Sequence, residues 1–225
     1  MGIFRGPNIV RDGLVLALDA GSERSYPGTG TTWYDLSGEG NDATLSNGTL
    51  WNSSGYMSTD ATDDYIQIPN AASLQVTTGF TQVIWVKINT SVTGSWKNLF
   101  GKPGYTKYGI IVEWSGGNPI LFDFSSGGSR NTGTLSPGST GIWIMVAQSY
   151  NASGGSNNRI ANIRGGVTAT FTQTKTGNVD VDTGPMNIGS AGLSLDVGLA
   201  LLYNRGLTQT ELDQIYNAQK NRFNL

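Results

Sequence analysis

The sequence contains neither cysteine nor histidine, and these two absences exclude several kinds of chemistry. Without cysteine the chain has no disulfides, no thiol nucleophile and no thiolate metal site. Without histidine it has no Ser-His-Asp triad, no imidazole acid–base catalysis and no ordinary zinc site. Catalysis or metal binding would therefore depend on carboxylates, lysine, tyrosine or other oxygen ligands.

Charge is also scarce. Charged residues make up 13% of the chain, about half of the usual share of ~25%. The net charge is -2, so the chain lacks the basic field that nucleic-acid binders use. It also lacks the polybasic segment of an electrostatic membrane binder. We therefore expect neither a nucleic-acid partner nor a membrane partner.

Long hydrophobic runs are missing as well. No window approaches the ~20 apolar residues of a membrane span, and residues 1–7 do not contain the apolar core of a signal peptide. The apolar run at residues 14–18 is too short for that role, and Asp19 ends it. We expect that the protein is made without a signal peptide.

Glycine is abundant, and it separates many short apolar or alternating runs. The chain has 32 glycines in 225 residues, about twice the usual share of roughly 7%. Many short strands with turn residues between them predict an all-β sandwich or closed barrel rather than βαβ units. The predicted strands cover residues 14–19, 65–68, 80–88, 108–114, 120–124, 142–150, 159–163, 168–175, 186–189 and 197–203.

One helix is predicted near the C-terminus. Thr208 and Glu211 have the spacing of a capping box, in which each side chain bonds the backbone N–H of the other residue. Leu212, Ile215 and Tyr216 then repeat at helical spacing, which predicts a helix over residues 209–221.

The chain divides into an N-terminal arm and one domain. Residues 1–12 are predicted to be extended, because Pro7 restricts the residue before it. No shift in composition marks a boundary within residues 13–225, which are predicted to form the domain with its C-terminal helix. The apolar residues of the arm lie outside the predicted core and must pack somewhere. They either fold back on the same domain or dock on a neighbour by strand addition; these residues are Ile3, Phe4, Ile9 and Val10.

An ordered set of segments carries a family resemblance. The chain resembles the concanavalin A-like (laminin-G-like) jelly-roll superfamily of legume lectins, pentraxins and laminin G modules. This resemblance implies an all-β fold, a two-sheet antiparallel β-sandwich (jelly roll) with a short C-terminal helix. The segments are residues 13–20 (GLVLALDA), 33–41 (WYDLSGEGN), 63–66 (DDYI), 80–87 (FTQVIWVK), 142–146 (IWIMV), 187–190 (NIGS) and 200–208 (ALLYNRGLT).

A narrower resemblance concerns the N-terminus. Residues 5–10 (RGPNIV) resemble laminin-G-like virion proteins of tailed bacteriophages. This implies a virion structural protein, made in the host cytoplasm and placed on the particle surface. We expect a capsid decoration protein that docks on other virion proteins, and a homo-oligomer would form through the sandwich. The alternative is a carbohydrate-binding, lectin-like module of a tail fibre or receptor-binding protein.

Catalytic residues are not expected. Some relatives on this fold are glycoside hydrolases whose site is a strand with Glu-x-Asp-x-x-Glu, because alternate strand residues share a face. No such pattern surrounds the glutamates of this chain. Glu113 and Asp123 lie on the two strands of a predicted hairpin and form a candidate carboxylate pair; the alternative is that both face solvent. We expect that the protein is not an enzyme.

An oxygen-rich loop at residues 35–42 (DLSGEGND) is a candidate calcium site. Calcium takes oxygen ligands, and Asp35, Asn41 and Asp42 are the candidate ligands. The alternative is a structural turn in which these side chains bond their own backbone. The acidic residues at 60–64 (DATDD) leave the same two interpretations open. No other cofactor is expected.

Three tryptophans in loop-like segments are candidates for sugar stacking. Lectin sites use an aromatic ring that faces solvent, with Asp and Asn side chains to bond hydroxyls. Trp33, Trp51 and Trp96 are the candidate carbohydrate-binding residues. The alternative is that these rings belong to the core or anchor their loops, which is the common use of an aromatic residue in a sandwich.

Overall fold

The computed structural model describes residues 8–90, 96–102, 108–112, 119–165 and 168–225. One α-helix, α1 (Gln209–Gln219), and 3-10 helices at Ala72–Leu74 and Lys220–Phe223 lie within these residues, and no helix among them is long and apolar enough to cross a membrane. The strands in chain order are β1 (Leu14–Asp19), β2 (Thr32–Trp33), β3 (Ala43–Ser46), β4 (Leu50–Asn52), β5 (Tyr56–Ser58), β6 (Tyr65–Ile68), β7 (Gly79–Ile88), β8 (Lys97–Gly101), β9 (Tyr108–Val112), β10 (Ile120–Ser126), β11 (Ser129–Leu135), β12 (Trp143–Asn151), β13 (Arg159–Arg164), β14 (Ala169–Gln173), β15 (Met186–Ile188) and β16 (Leu195–Tyr203).

The strands form two sheets that pack face to face. The first sheet has the order β14-β13-β12-β7-β16-β5-β4, and β1 also pairs with β16. The second sheet has the order β11-β10-β9-β8-β15-β6-β3-β2. The pairings of the central strands are antiparallel, and apolar side chains from both sheets fill the space between them. The predicted antiparallel β-sandwich with a C-terminal helix is confirmed.

The predicted strands all form. Their ends match the prediction or differ from it by one or two residues, and positions 113 and 114 lie outside the described residues. Six strands were not predicted because they are short or polar: β2, β3, β4, β5, β8 and β11. The hairpin from β10 to β11 turns through Gly127 and Gly128, whose φ angles are 57° and 77°. Positive φ at both turn residues is typical of a two-residue type I′ turn, for which paired glycines are a signal in sequence.

The central strand β7 is continuously apolar because both of its faces are buried. Ile84 and Val86 belong to the core between the sheets. Val83 and Trp85 lie on the outer side of the first sheet, in a second apolar cluster. Strands β12 and β16 are buried on both faces in the same way, which explains why their runs predicted central strands.

The outer side of the first sheet is covered by the C-terminal segment. The ring of Trp85 stacks on Phe223 with centroids 4.6 Å apart and on Tyr216 with centroids 5.6 Å apart. Leu212 and Ile215 of α1 are buried in the same cluster. The helix therefore seals an apolar face that a free sheet would expose to water.

Helix α1 begins with the predicted capping box. Thr208 Oγ1 accepts the N–H of Glu211 at 3.3 Å, and Glu211 Oε2 accepts the N–H of Thr208 at 2.8 Å. Arg205 also bonds this carboxylate at 2.6 Å, and the arginine together with the Thr208 bonds lowers the pKa of Glu211 to about 2. The helix ends at Gln219, earlier than predicted, and the chain tightens into the 3-10 helix that brings Phe223 onto Trp85.

The N-terminal segment is described from residue 8 and lies on the same outer face. Val10 is buried, and Ile9 packs against the cluster that α1 covers. Tyr203 Oη donates a hydrogen bond to the carbonyl oxygen of Val10 at 2.9 Å. Of the two alternatives for the arm, Ile9 and Val10 therefore fold back on the same domain, where their apolar side chains pack against the outer cluster. Ile3 and Phe4 lie outside the described residues, and a partner role for them stays a prediction.

Candidate functional site

The loop at residues 35–42 is closed by its own hydrogen bonds. Asp35 Oδ1 accepts the N–H groups of Ala17 at 2.8 Å and Ser37 at 2.9 Å. Asp35 Oδ2 accepts the hydroxyl of Ser37 at 2.6 Å and the N–H of Asn41 at 3.0 Å. Asp42 Oδ1 accepts the N–H of Asp35 at 2.8 Å. These bonds use oxygens that a calcium ion would need, so the geometry favours the structural turn.

The acidic loop between β5 and β6 differs from the loop at residues 35–42, because its three aspartates lie close to one another. One carboxylate oxygen from each of Asp60, Asp63 and Asp64 lies within 4.8 Å of the other two. Asp60 and Asp63 are exposed, whereas Asp64 is buried. Asp64 Oδ1 is buried without a hydrogen-bond partner. Burial raises the pKa of Asp64, and the charges of Asp60 and Asp63 raise it further.

Two of the three candidate sugar-stacking tryptophans serve the fold. Trp33 is fully buried in the core between the sheets, so its ring cannot face a sugar in solvent and that expectation is corrected. Trp51 is half-buried; its Nε1 donates to the carbonyl oxygen of Ala20 at 2.9 Å, and its ring lies 5.7 Å from that of Tyr26. Trp51 therefore anchors its loop, which is the alternative that the sequence left open.

Trp96 is the candidate that lies beside a charged pair. It is half-buried, directly before β8. The guanidinium carbon of Arg130 lies 5.1 Å from the centre of its ring, within the range of a cation–π contact. Arg130 Nε and Nη2 both donate to Asp123 Oδ2, at 3.0 Å and 2.6 Å. We call Trp96, Asp123 and Arg130 the tryptophan–arginine cluster.

Strand pairing places this cluster on the outer side of the second sheet. Asp123 on β10 pairs with Thr132 on β11. Arg130 is two residues before Thr132, so its side chain lies on the same face of the sheet, diagonally across from Asp123. The Asp123 side chain is 3% exposed and that of Arg130 is 36% exposed. Ile111 and Leu121 on this face are also buried. The accessible part of the face therefore lies towards Arg130 and β11.

The electrostatics of Asp123 follow from this burial. Burial raises the pKa of the carboxyl, and the hydrogen bonds and charge of Arg130 act in the opposite direction. Asp123 Oδ1 is buried without a hydrogen-bond partner. A buried carboxylate held by one arginine fixes the position of that arginine on the sheet. Asp123 was a candidate from the sequence only as a pair with Glu113, which lies outside the described residues. Arg130 was not predicted.

A shallow pocket lies at one end of the first sheet. Its volume is about 360 Å³. Its lining is polar and includes no aromatic side chain; the residues are Thr78, Gly79, Asn151, Ser153, Asn204, Arg205 and Gly206. Arg205 is already paired with Asp12 and Glu211. The pocket thus lacks the apolar ring that the tryptophan–arginine cluster offers.

The fold is similar to solved binding domains of toxins. The binding domain of Paraclostridial Mosquitocidal Protein 1 superposes with a TM-score of 0.67 and 13% identity, over 94% of this chain and 53% of that one. Botulinum neurotoxin type C, whose cell entry depends upon interaction with two ganglioside molecules, superposes with a TM-score of 0.69 and 12% identity, over 93% of this chain and 52% of that one. The binding domain of botulinum neurotoxin DC, solved in complex with rat synaptotagmin II, superposes with a TM-score of 0.68 and 12% identity, over 93% of this chain and 52% of that one.

These likenesses concern the fold, because the identities are low and the chain spans about half the length of each of these proteins. No curated protein matches the sequence. The model of the concanavalin A-like lectin/glucanases superfamily matches residues 60–212, which is more than half of the chain. The matched region runs from the acidic loop before β6 into α1, and it includes the tryptophan–arginine cluster. The chain therefore belongs to the concanavalin A-like lectin/glucanase superfamily.

Proposed function

We propose that this domain is a non-enzymatic carbohydrate-binding module of a tailed-phage particle, and that it holds a glycan on the tryptophan–arginine cluster. The observation that carries the proposal is the position of Arg130, which bonds the buried Asp123 and lies over the partly exposed ring of Trp96. A sugar presents C–H groups to an aromatic ring and hydroxyls to charged groups. Both kinds of group lie together here, because Arg130 is on β11 and Trp96 directly precedes β8.

The surroundings of the cluster suit a polar ligand. Thr132 and Thr134 on β11 are exposed and extend the face beyond Arg130 with hydroxyl groups. The structural neighbours support a recognition role, since they include a toxin that depends on gangliosides and one solved with a protein receptor. The location on a phage particle is supported by the resemblance of residues 5–10 to virion proteins.

The carboxylates support a non-catalytic role. Glu211 is committed to the cap of α1 and to Arg205. Asp123 is committed to Arg130 and is nearly inaccessible. A hydrolase of this fold would need two carboxylates on either side of a glycosidic bond. The neighbours on this fold described above are binding domains.

The test is a glycan array probed with the full chain, followed by calorimetry with the best ligand. We expect Trp96→Ala and Arg130→Gln each to weaken binding at least about tenfold, since each removes one half of the recognition pair. Tyr34→Ala is the matched control, because Tyr34 is an aromatic residue that is 45% exposed in another loop. The proposal fails if the wild type binds no glycan, or if both variants bind as the control does while their melting temperatures are unchanged.

Decoration of the capsid is the second candidate, and one observation favours it. Strand β4 is an edge of the first sheet, and its residue Leu50 is 69% exposed. An apolar edge strand is a site where another virion subunit can add a strand. Quantitative mass spectrometry of purified particles decides between the two functions. A copy number comparable to that of the main shell protein supports decoration, and a handful of copies supports a fibre-borne module. The absence of the protein from purified particles contradicts the virion location.

A further inference from the structure

The turn that joins β3 to β4 carries the one Asn-Gly pair of the sequence, Asn47 and Gly48. Strand β3 belongs to the second sheet and β4 to the first, so the chain crosses from one sheet to the other at this turn. Both residues of the pair are exposed. Water therefore reaches a turn whose two ends are held in different sheets.

The backbone of this turn favours these two residue types. The φ angles of Asn47 and Gly48 are 61° and 139°, and glycine and asparagine adopt positive φ more readily than other residues. A Cβ atom at position 48 would lie 3.1 Å from Asp64 Oδ1, which belongs to a buried carboxylate. The fold therefore selects glycine at position 48 and asparagine at position 47.

The same pair is chemically labile. Glycine has no side chain, so its backbone nitrogen can approach the amide carbon of a preceding asparagine. We propose that Asn47 is a site of spontaneous deamidation. The backbone nitrogen of Gly48 bonds to Asn47 Cγ, the Cγ–Nδ2 bond breaks, and Nδ2 leaves as ammonia with the proton of the Gly48 N–H. Water then opens the cyclic imide at either carbonyl, which leaves an aspartate linked to Gly48 through its α- or its β-carboxyl group.

One hydrogen bond holds the reactive amide in the folded chain. Asn47 Nδ2 donates to the carbonyl oxygen of Asp63 at 2.9 Å, at the surface. An exposed hydrogen bond in a turn opens at a small cost in free energy, and opening it frees Cγ to meet the Gly48 nitrogen. The folded chain should therefore deamidate here, but more slowly than the urea-unfolded chain, in which this bond is absent.

Deamidation changes the contact between this turn and the acidic loop. The new carboxylate can only accept hydrogen bonds, so it cannot replace the donor that now bonds the Asp63 carbonyl oxygen. It also adds a negative charge next to a loop in which the charges of Asp60 and Asp63 already raise the pKa of Asp64, and like charges repel. The β-linked product lengthens the backbone of the turn as well. The modification should therefore loosen a connection between the two sheets, and it does not depend on the glycan site.

The test is incubation of the full chain in mildly alkaline buffer at physiological temperature, followed by peptide mapping with mass spectrometry and an enzymatic assay for isoaspartate. Asn157 is the internal control, because it is exposed and has a φ of 54° but is followed by Asn158, which has a side chain. We expect conversion at Asn47 to be at least about tenfold faster than at Asn157, since Asn47 precedes a residue without Cβ. Conversion at Asn47 that is no faster than at Asn157 overturns the proposal.

Two variants separate the reaction from its effect on stability. Asn47→Gly permits positive φ and removes the amide, so the conversion signal should disappear; a signal that persists belongs to another residue and overturns the assignment. Asn47→Asp reproduces the α-linked product and lacks the same hydrogen bond as Asn47→Gly, but it adds the charge. Its melting temperature should be about 2–4 °C below that of Asn47→Gly, and the difference should shrink in high salt. Equal melting temperatures would contradict the proposed loosening of the turn by charge.

Discussion

The outer faces of the two sheets are used in opposite ways. On the first sheet, Val83, Trp85 and Leu201 point outwards and are covered by α1 and the N-terminal segment. On the second sheet, the outer side carries Asp123 and Arg130, with Trp96 at its margin. Both faces bear tryptophan. The difference lies in what surrounds the ring, because apolar neighbours recruit other parts of the same chain, whereas a buried charge pair keeps an arginine at the surface.

The comparison predicts the largest loss of stability for a substitution on the outer face of the first sheet, which we call the covered face because α1 and the N-terminal segment pack on it. Trp85→Ala removes a ring that stacks on both Phe223 and Tyr216. We expect a loss of about 3–5 kcal/mol in the free energy of unfolding, the usual cost of truncating a buried aromatic residue. Urea unfolding followed by circular dichroism measures it. A loss below about 1 kcal/mol would mean that the helix contributes little to this face.

The free energy of unfolding is expected to depend on pH through Glu211, which caps the start of α1 on the covered face. The hydrogen bond from Arg205 and those from Thr208 lower the pKa of Glu211 from its ordinary value of 4.5 to about 2 in the folded protein. Its contribution to stability is therefore present above pH 4.5 and is lost as the pH falls towards 2. Glu211→Gln keeps an oxygen that can accept the N–H of Thr208 but removes the charge that bonds Arg205, so it should cost about 1–2 kcal/mol at pH 7 and should flatten the stability profile over that acid range. Glu39→Gln, in an exposed loop, is the control, and melting temperatures from pH 2 to 7 are the measurement.

A smaller effect is expected where the N-terminal segment meets the covered face. Tyr203→Phe removes the hydroxyl that donates to the carbonyl oxygen of Val10 and keeps the ring. The free energy of unfolding should fall by about 1 kcal/mol, the usual contribution of one hydrogen bond. Hydrogen exchange in residues 8–12 should rise more than exchange in β7. If exchange rises equally in both regions, the bond supports the whole sheet and not the segment.

The smallest effect is predicted on the second sheet. Thr134→Ala lies on the accessible part of its outer face, on β11. The free energy of unfolding should change by less than about 0.5 kcal/mol, as at most exposed positions. Urea unfolding beside the Trp85 variant gives the direct comparison. A loss above about 1.5 kcal/mol would contradict the comparison, because such a loss would mean that the outer face of the second sheet is covered as that of the first sheet is.

The sequence predicted the parts of the fold that local patterns encode. The continuous apolar runs of β7 and β12 gave the central strands, and Thr208 with Glu211 gave the start of α1. Strand β11 was missed because its residues are polar and alternate without an apolar face. The paired glycines before it were the available signal.

The candidate site could be predicted only in part, because its contacts are tertiary. Trp96 was named from its loop-like surroundings, yet nothing in the local sequence joins it to Arg130. That pairing depends on the register that sets Asp123 opposite Thr132. Trp33 has equally polar neighbours in sequence but lies in the core, since burial is decided by which sheet covers a residue. Strand pairing and burial are properties of the folded chain.

The pairing of the first strand has a consequence for synthesis. Leu14 of β1 pairs with Tyr203 of β16, so these partners are separated by most of the chain. At about 5–20 residues per second, β1 waits roughly 10–40 s on the ribosome before its partner is made. During that time an apolar strand has an open edge, which is a site of aggregation. The domain is therefore most vulnerable to aggregation as a nascent chain, until β16 has been made and pairs with β1.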